Sequence, residues 1–346
     1  MIGASATLPR HGLGSVAEVA RLIEAGHMLI LAGAEEILAE LPPGNWIGGT
    51  TAHFLTPQGG IPAARHIFFT DLTPIALKGE CYLADEHEVR DIGRRAPRHG
   101  FTLLIIPGYS PLLMRLARDM LDYEGVYNIP LTGWVAAVDL EQIGQRQPKC
   151  FAGGPQGRHD RAAIMYITLP EDFFAQLHIV NLFTPGTGPV IRFPAETFIQ
   201  REDCLIDSQP ANLARYIAKA QIDPRLPLVA DHDGALLSVS LLPDMSANTV
   251  HFLSPVCANM EYRFAETVLD YEVELHRAIA ALGEAQSMIA SVCVLHYRHA
   301  SLPAWRGLPF MGPVTFGQIA YTILNQTFTC LSISRLDDAP EDPPPH

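Results

Sequence analysis

Short unbroken apolar runs alternate along the chain with stretches whose apolar positions recur every three or four residues. The first pattern fits strands buried on both faces, the second amphipathic helices. "HMLILAG", "FTLLIIPG" and "GWVAAVDL" follow the first; "VAEVARLIEA" and "LLMRLARDMLDY" follow the second. Ser15 with Glu18 three residues on forms a capping box, and Gly26 stops the helix it opens. Pro42-Pro43 ends a short helix in "AEEILAEL". "GNWIGGTTAHFL" reads as a strand interrupted at Gly48-Gly49, and "HIFFTDL" and "ECYLADEHEV" read as further strands. The alternation predicts an α/β fold of mixed sheets with packed helices, layered α-β-β-α.

From Gln142 to Asp160 the chain turns polar and Gly/Pro-containing, which places a boundary between an N-terminal half, 1–145, and a C-terminal half, 146–335. In the second half "AAIMYITL" and "QLHIVNLF" predict two strands, and Pro185-Gly186 a turn into "GPVIRF". Pro210 is placed in the first turn of a helix "PANLARYIAKA". "LPLVADHDGALLSVSLL" is a hairpin turning at Asp233-Gly234. A long helix is expected over roughly 261–282, and "MIASVCVLHY" and "YTILNQTFTCLSI" are each expected as one strand. The tail 336–346 is acidic, Pro-rich and expected to be disordered.

Composition narrows the function classes. Nearly half the 346 residues are apolar (48%), so a large core is available. Lys plus Arg is 24 and Asp plus Glu 37, a formal charge of −13. That field repels phosphate backbones, so neither nucleic acid nor an anionic membrane is an expected partner. No apolar run reaches the ~20 residues that span a bilayer. The N-terminus lacks a basic segment followed by an apolar one, so a cytoplasmic location is expected. The six cysteines are widely spaced and form no CxxC, so they read as reduced core residues and not as metal ligands or disulfides.

Few stretches carry chemistry. "LLIIPGYSPLL" has the strand–turn–helix layout of a nucleophile elbow, but Leu112 stands where that motif needs glycine. Ser110 therefore reads better as a helix cap with Pro111 in the first turn, and a serine hydrolase using Ser110 is the alternative. His87 and Asp91 in "DEHEVRD" are spaced for a shared metal but do not make HExxH, so a solvated face is preferred. "ADHDGA" reads as a turn. There is no phosphate-binding loop or dinucleotide fingerprint, so no cofactor or metal is expected. Two polar segments remain. In "WIGGTTAHF" glycine marks either a bulge or the close approach of something to the backbone. In "LHYRHA" His296 and Arg298 lie just past a strand, where α/β folds place ligand contacts, and Arg298 is suited to a carboxylate; the other reading is a solvated strand end.

Taken in order, these segments resemble the FIST domain family, bacterial sensory modules with an N-terminal and a C-terminal part. "IGGTTAHFL" is similar to that family's Gly–small–Ser/Thr strand end at Gly48 to Thr51. "DSQPANLARY" is similar to its D-G-x-P-A-x-x-x-Y segment at Asp207, Pro210, Ala211 and Tyr216, with Ser208 replacing glycine. "SVCVLHYRHA" resembles its small-Cys-x-x-Arg strand end, with wider spacing between Cys293 and Arg298. "FGQIAYTILNQTFTCLSI" resembles its Gly-Glu-Ile and Asn-x-Thr segments at Gly317, Ile319, Asn325 and Thr327, with Gln318 in place of the acid. The resemblance implies a non-catalytic, small-molecule-binding sensory domain whose ligand is an amino acid or other small carboxylate. Signalling would then pass through a partner protein or through oligomerisation. Gly49, Thr50, Thr51, Arg298, Gln318 and Asn325 are the expected ligand-binding residues, lining one cleft between the halves with Arg298 on the carboxylate. A ligand-free interaction subunit is the remaining alternative.

Overall fold

The computed structural model describes residues 8–336 except 233, 259, 283–287 and 309. Asp233 of the expected hairpin turn and the tail from residue 337 lie outside the described residues. The described α-helices are α1 (Val16–Glu24), α2 (Glu35–Leu38), α3 (Glu86–Arg90), α4 (Pro111–Asp119), α5 (Leu213–Ala220), α6 (Tyr271–Ala280) and α7 (Val294–His299).

A six-stranded central sheet runs in the order Thr322–Leu324, Gly317–Ala320, Leu131–Ala136, Gly100–Pro107, Ala162–Thr168, Lys78–Ala84. Gly100–Pro107 is buried along its whole length, which is why it reads as an unbroken apolar run. Its alternate residues face opposite ways. Leu104 and Ile106 pack towards α3 and α4, while Phe101, Leu103 and Ile105 pack with residues of two further sheets. One of these is five-stranded, built on the parallel pair Leu29–Gly33 and Trp46–Thr50. Its other face is covered by Val19 and Ile23 of α1 and Leu38 of α2, each contributing roughly 1.5–3 kcal/mol by burial. The other has the order Phe173–Val180, Phe328–Arg335, Met288–Cys293, Gly312–Thr315, His53–Thr56, Gly59–Pro62. Leu275 and Ile279 of α6 and Leu295 of α7 belong to the core on its helix side. The result is the mixed α/β architecture expected from the alternation, in helix–sheet–sheet–helix order.

Residues between about 185 and 264 form a separate core, in which Leu213 and Ile217 of α5 pack with Ile191, Leu228, Ala230 and Tyr262. The expected hairpin is present here, as Leu228–His232 paired antiparallel with Ala235–Val239.

The sheets do not divide at residue 145. Gly317–Ala320 pairs with Leu131–Ala136, and Gly312–Thr315 with His53–Thr56, so strands from both sides of that position share two sheets. Five local expectations also change. "MIASVCVLHY" is a strand only as far as Cys293, after which Val294–His299 forms α7. The helix expected from residue 261 begins only at Tyr271, because Tyr262–Phe264 alternates in and out and pairs with Leu228–Ala230. Pro210 lies in the short strand Gln209–Ala211, and Asn212 caps α5 by accepting from Arg215 N. "ECYLADEHEV" ends as a strand at Ala84, since Asp85 and Glu88 form a capping box that opens α3. "YTILNQTFTCLSI" is two strands, broken at Asn325–Thr327, and Gln326 sits there in the left-handed region at φ +45°. Among the described residues no helix is long and apolar enough to cross a membrane.

Candidate functional site

The six expected ligand-binding residues do not share one cleft. Gly49 lies between sheets. A Cβ there would stand 2.7 Å from Ile105 Cγ2 and 3.0 Å from Trp134 Nε1, so the glycine admits neighbouring side chains and not a ligand. It is in register with Ala32 and Cys150 on either side, with no bulge. Thr50 and Thr51 line a cavity of about 150 Å³ at the strand ends beside α2. Their hydroxyls are committed to backbone, Thr50 Oγ1 accepting from Lys149 N at 3.0 Å and Thr51 Oγ1 donating to Val314 O at 2.5 Å. Glu35 in the same wall is bonded by Lys149 Nζ at 2.5 Å.

Gln318 and Asn325 come together, but inside the protein and both without exposure to solvent. Asn325 accepts from Ser240 N at 2.9 Å and donates to Phe316 O at 2.8 Å and Leu324 O at 3.3 Å. Gln318, oriented so that both amide atoms are satisfied, donates to Thr327 O at 3.0 Å and accepts from Cys293 N at 2.5 Å. Gly317 leaves room for this arrangement, since a Cβ there would meet Asn325 Nδ2 at 2.7 Å. The group is a satisfied polar knot between strands, which stabilises the fold and offers nothing to a ligand. Arg298 is exposed on α7 and outside the cavity described next. Ser110, the alternative nucleophile, has no solvent exposure. Its hydroxyl donates to Pro107 O at 2.7 Å and accepts from Leu113 N at 3.0 Å, the work of a cap.

A larger cavity, of about 410 Å³, opens where the 185–264 core meets α6 and α7. Its apolar wall is Phe183, Leu226 and Val268, with the Tyr271 ring stacked on Phe183 at 5.1 Å between centroids. The polar part of its floor is His299 and Gln326. The rim carries Asp223, Arg225, Asp270 and Glu272.

Each floor group has a cause in the local chain. Tyr271 opens α6, and its hydroxyl lies 2.9 Å from Nε2 of His296. Burial, with His299 nearby, pushes His296 down to about 3, so near neutral pH it is an uncharged imidazole able to accept the phenol proton. Burial first, then Cys293, pushes the Tyr271 phenol up, so it stays a donor. His299 is lowered by burial and then by Arg225 and Arg298, and its Nδ1 has no partner among the described residues. Gln326 is only 3% exposed. Its backbone N–H points at the Cys293 thiol, and its side-chain amide lies beside His299 at the cavity wall. Two lining residues, Asp270 at φ +52° and Gln326 at φ +45°, hold left-handed conformations that cost a non-glycine residue about 1–2 kcal/mol. Such strain concentrates at binding sites.

None of these cavity residues was singled out from the sequence. One signal was available for Gln326: two successive amides inside an apolar strand cannot both face a core, so the strand must break there. Nothing comparable marked His299 or Tyr271, whose roles depend on how the 185–264 core abuts α6 and α7. Among the described residues there is no cluster of three or more His, Cys, Asp or Glu able to hold a metal.

No curated protein matches the chain. The model of a family of unknown function, DUF6976, matches residues 14–334, which takes in every element described above except the first few residues of the N-terminal strand Arg10–Gly14 and the last one of Phe328–Arg335. The chain belongs to that family.

Proposed function

We propose that this protein is a non-catalytic, small-molecule-binding domain of sensory type, and that its ligand occupies the cavity between α6, α7 and the Asn325–Thr327 turn. The observation that carries this reading is a cavity of about 410 Å³ with aromatic walls, lined by the buried residue Gln326, whose side-chain amide has more donors than its one contact with His299 can use. Sites for small molecules combine an apolar wall with a few convergent polar groups in this way. The Ser110 hydroxyl is committed to its cap, which speaks against it as a nucleophile. The likeness to FIST domains supports a sensory role, with output through a partner protein or oligomerisation.

Differential scanning fluorimetry against a panel of amino acids and other small metabolites tests the reading. A ligand at 100 times its Kd adds about 2.7 kcal/mol of stability. Leu226→Trp, which fills the cavity from its half-buried wall, is expected to remove the upshift. A panel without a hit, or a hit unaffected by Leu226→Trp, would contradict the assignment.

A further inference from the structure

The charges around the cavity select among ligands. Asp223 and Arg225 neutralise one another through a fork: Arg225 Nε reaches the two carboxylate oxygens at 3.0 and 2.9 Å, and Nη2 donates to Oδ2 at 2.7 Å. The charge of Arg225 is thus balanced within its own loop. Arg298 is exposed and outside the cavity, and His299 is held neutral. On the opposite rim, at the start of α6, Asp270 and Glu272 remain. Asp270 holds a left-handed backbone and its side chain makes no capping hydrogen bond to α6. Neither acid has an ion pair among the described residues. The uncommitted charge of the site is therefore two carboxylates, within a chain of formal charge −13.

A carboxylate ligand would meet an Arg225 whose charge Asp223 already balances, and would face Asp270 and Glu272 as well. An ammonium group meets no such opposition. Inside, Gln326, 3% exposed and lining the cavity, supplies a second and independent recognition element, since its amide offers a neutral donor and acceptor beneath the rim.

The geometry points to a small organic cation as the ligand, its ammonium at Asp270 and Glu272 and its apolar body against Phe183, Leu226 and Tyr271. This rests on the small-molecule reading above and reverses the carboxylate expected from Arg298.

The test is calorimetry on the full chain with matched probes that share one body: phenethylamine, 3-phenylpropionate and 3-phenyl-1-propanol, and the equivalent set with a pentyl body. The amines are expected to bind more tightly than the carboxylates. The Asp270→Asn/Glu272→Gln double variant, both exposed rim positions, is expected to weaken amine binding by about tenfold, and raised salt should weaken it further. If the carboxylates bind better, or the double variant leaves amine affinity unchanged, the cation assignment is overturned while the small-molecule reading stands. If no probe of either body binds, both are overturned.

Discussion

Asn325 and Gln326 are adjacent amides of the same turn, and both are almost fully buried. Asn325 spends its side chain on three hydrogen bonds within the protein, and Gln326 turns its side chain to a cavity. In sequence they are one feature, "NQ" in an apolar run. In the structure one is part of a knot that joins strands, and the other is part of a candidate site. Burial of an amide therefore does not separate structural from functional polarity; the count of its satisfied atoms does.

The comparison can be broken in order of expected effect. Asn325→Leu removes the partners of Ser240 N and Phe316 O, two buried groups, and is expected to cost roughly 2–5 kcal/mol in urea unfolding. The same change at Gln326 is expected to cost well under half of that, and equal losses would erase the distinction.

Acidification probes two buried imidazoles, His296 behind the cavity and His11 on the N-terminal strand of the five-stranded sheet. A buried base with a depressed folded pKa binds fewer protons than its unfolded counterpart, so its stabilisation is complete above about pH 6.5 and fades as pH falls towards the folded value. For His296, pushed to about 3, the window runs from pH 6.5 down to about 3, and for His11, pushed by burial to about 4, it ends at about 4. Each contributes a slope approaching 1.4 kcal/mol per pH unit. His296→Gln is expected to reduce the slope of stability between pH 6.5 and 5 by up to about 1.4 kcal/mol per pH unit, above the range where carboxylates titrate; an unchanged slope there would mean that His296 is not held neutral.

Gln326→Gly removes the left-handed penalty and is expected to raise stability by about 1 kcal/mol while weakening ligand binding. Stabilisation together with loss of binding is a signature that a purely structural amide would not give. The smallest stability change is expected for Asp270→Asn/Glu272→Gln, within about 0.5 kcal/mol of the parent, because both positions are exposed.

The layered fold was legible because its signals are local. Gly100–Pro107 is buried on both faces and reads as a continuous apolar run, and Ser15, Ser110 and Gly26 sit at helix ends as their chemistry requires. The sharing of sheets across residue 145 was not legible, since the pairing of Gly317–Ala320 with Leu131–Ala136 joins segments nearly two hundred positions apart with no turn between them to mark it. The candidate site was the least legible part. Glycines, hydroxyls and amides at strand ends suit ligand contacts, but here they serve close sheet packing at Gly49 and the polar knot at Gln318 and Asn325. Tyr271, His299 and Gln326 come from three separated segments, and only the abutment of two cores makes them neighbours.

The central claim is that the cavity under Gln326 is the ligand site and that the knot around Asn325 is not. It is tested most directly by side-chain amide NMR, with the chain labelled in glutamine and asparagine and titrated with phenethylamine. The Gln326 side-chain resonances are expected to shift in a saturable way while those of Asn325 and Gln318 stay in place. Saturable shifts at Asn325 and Gln318 with Gln326 unmoved would contradict it.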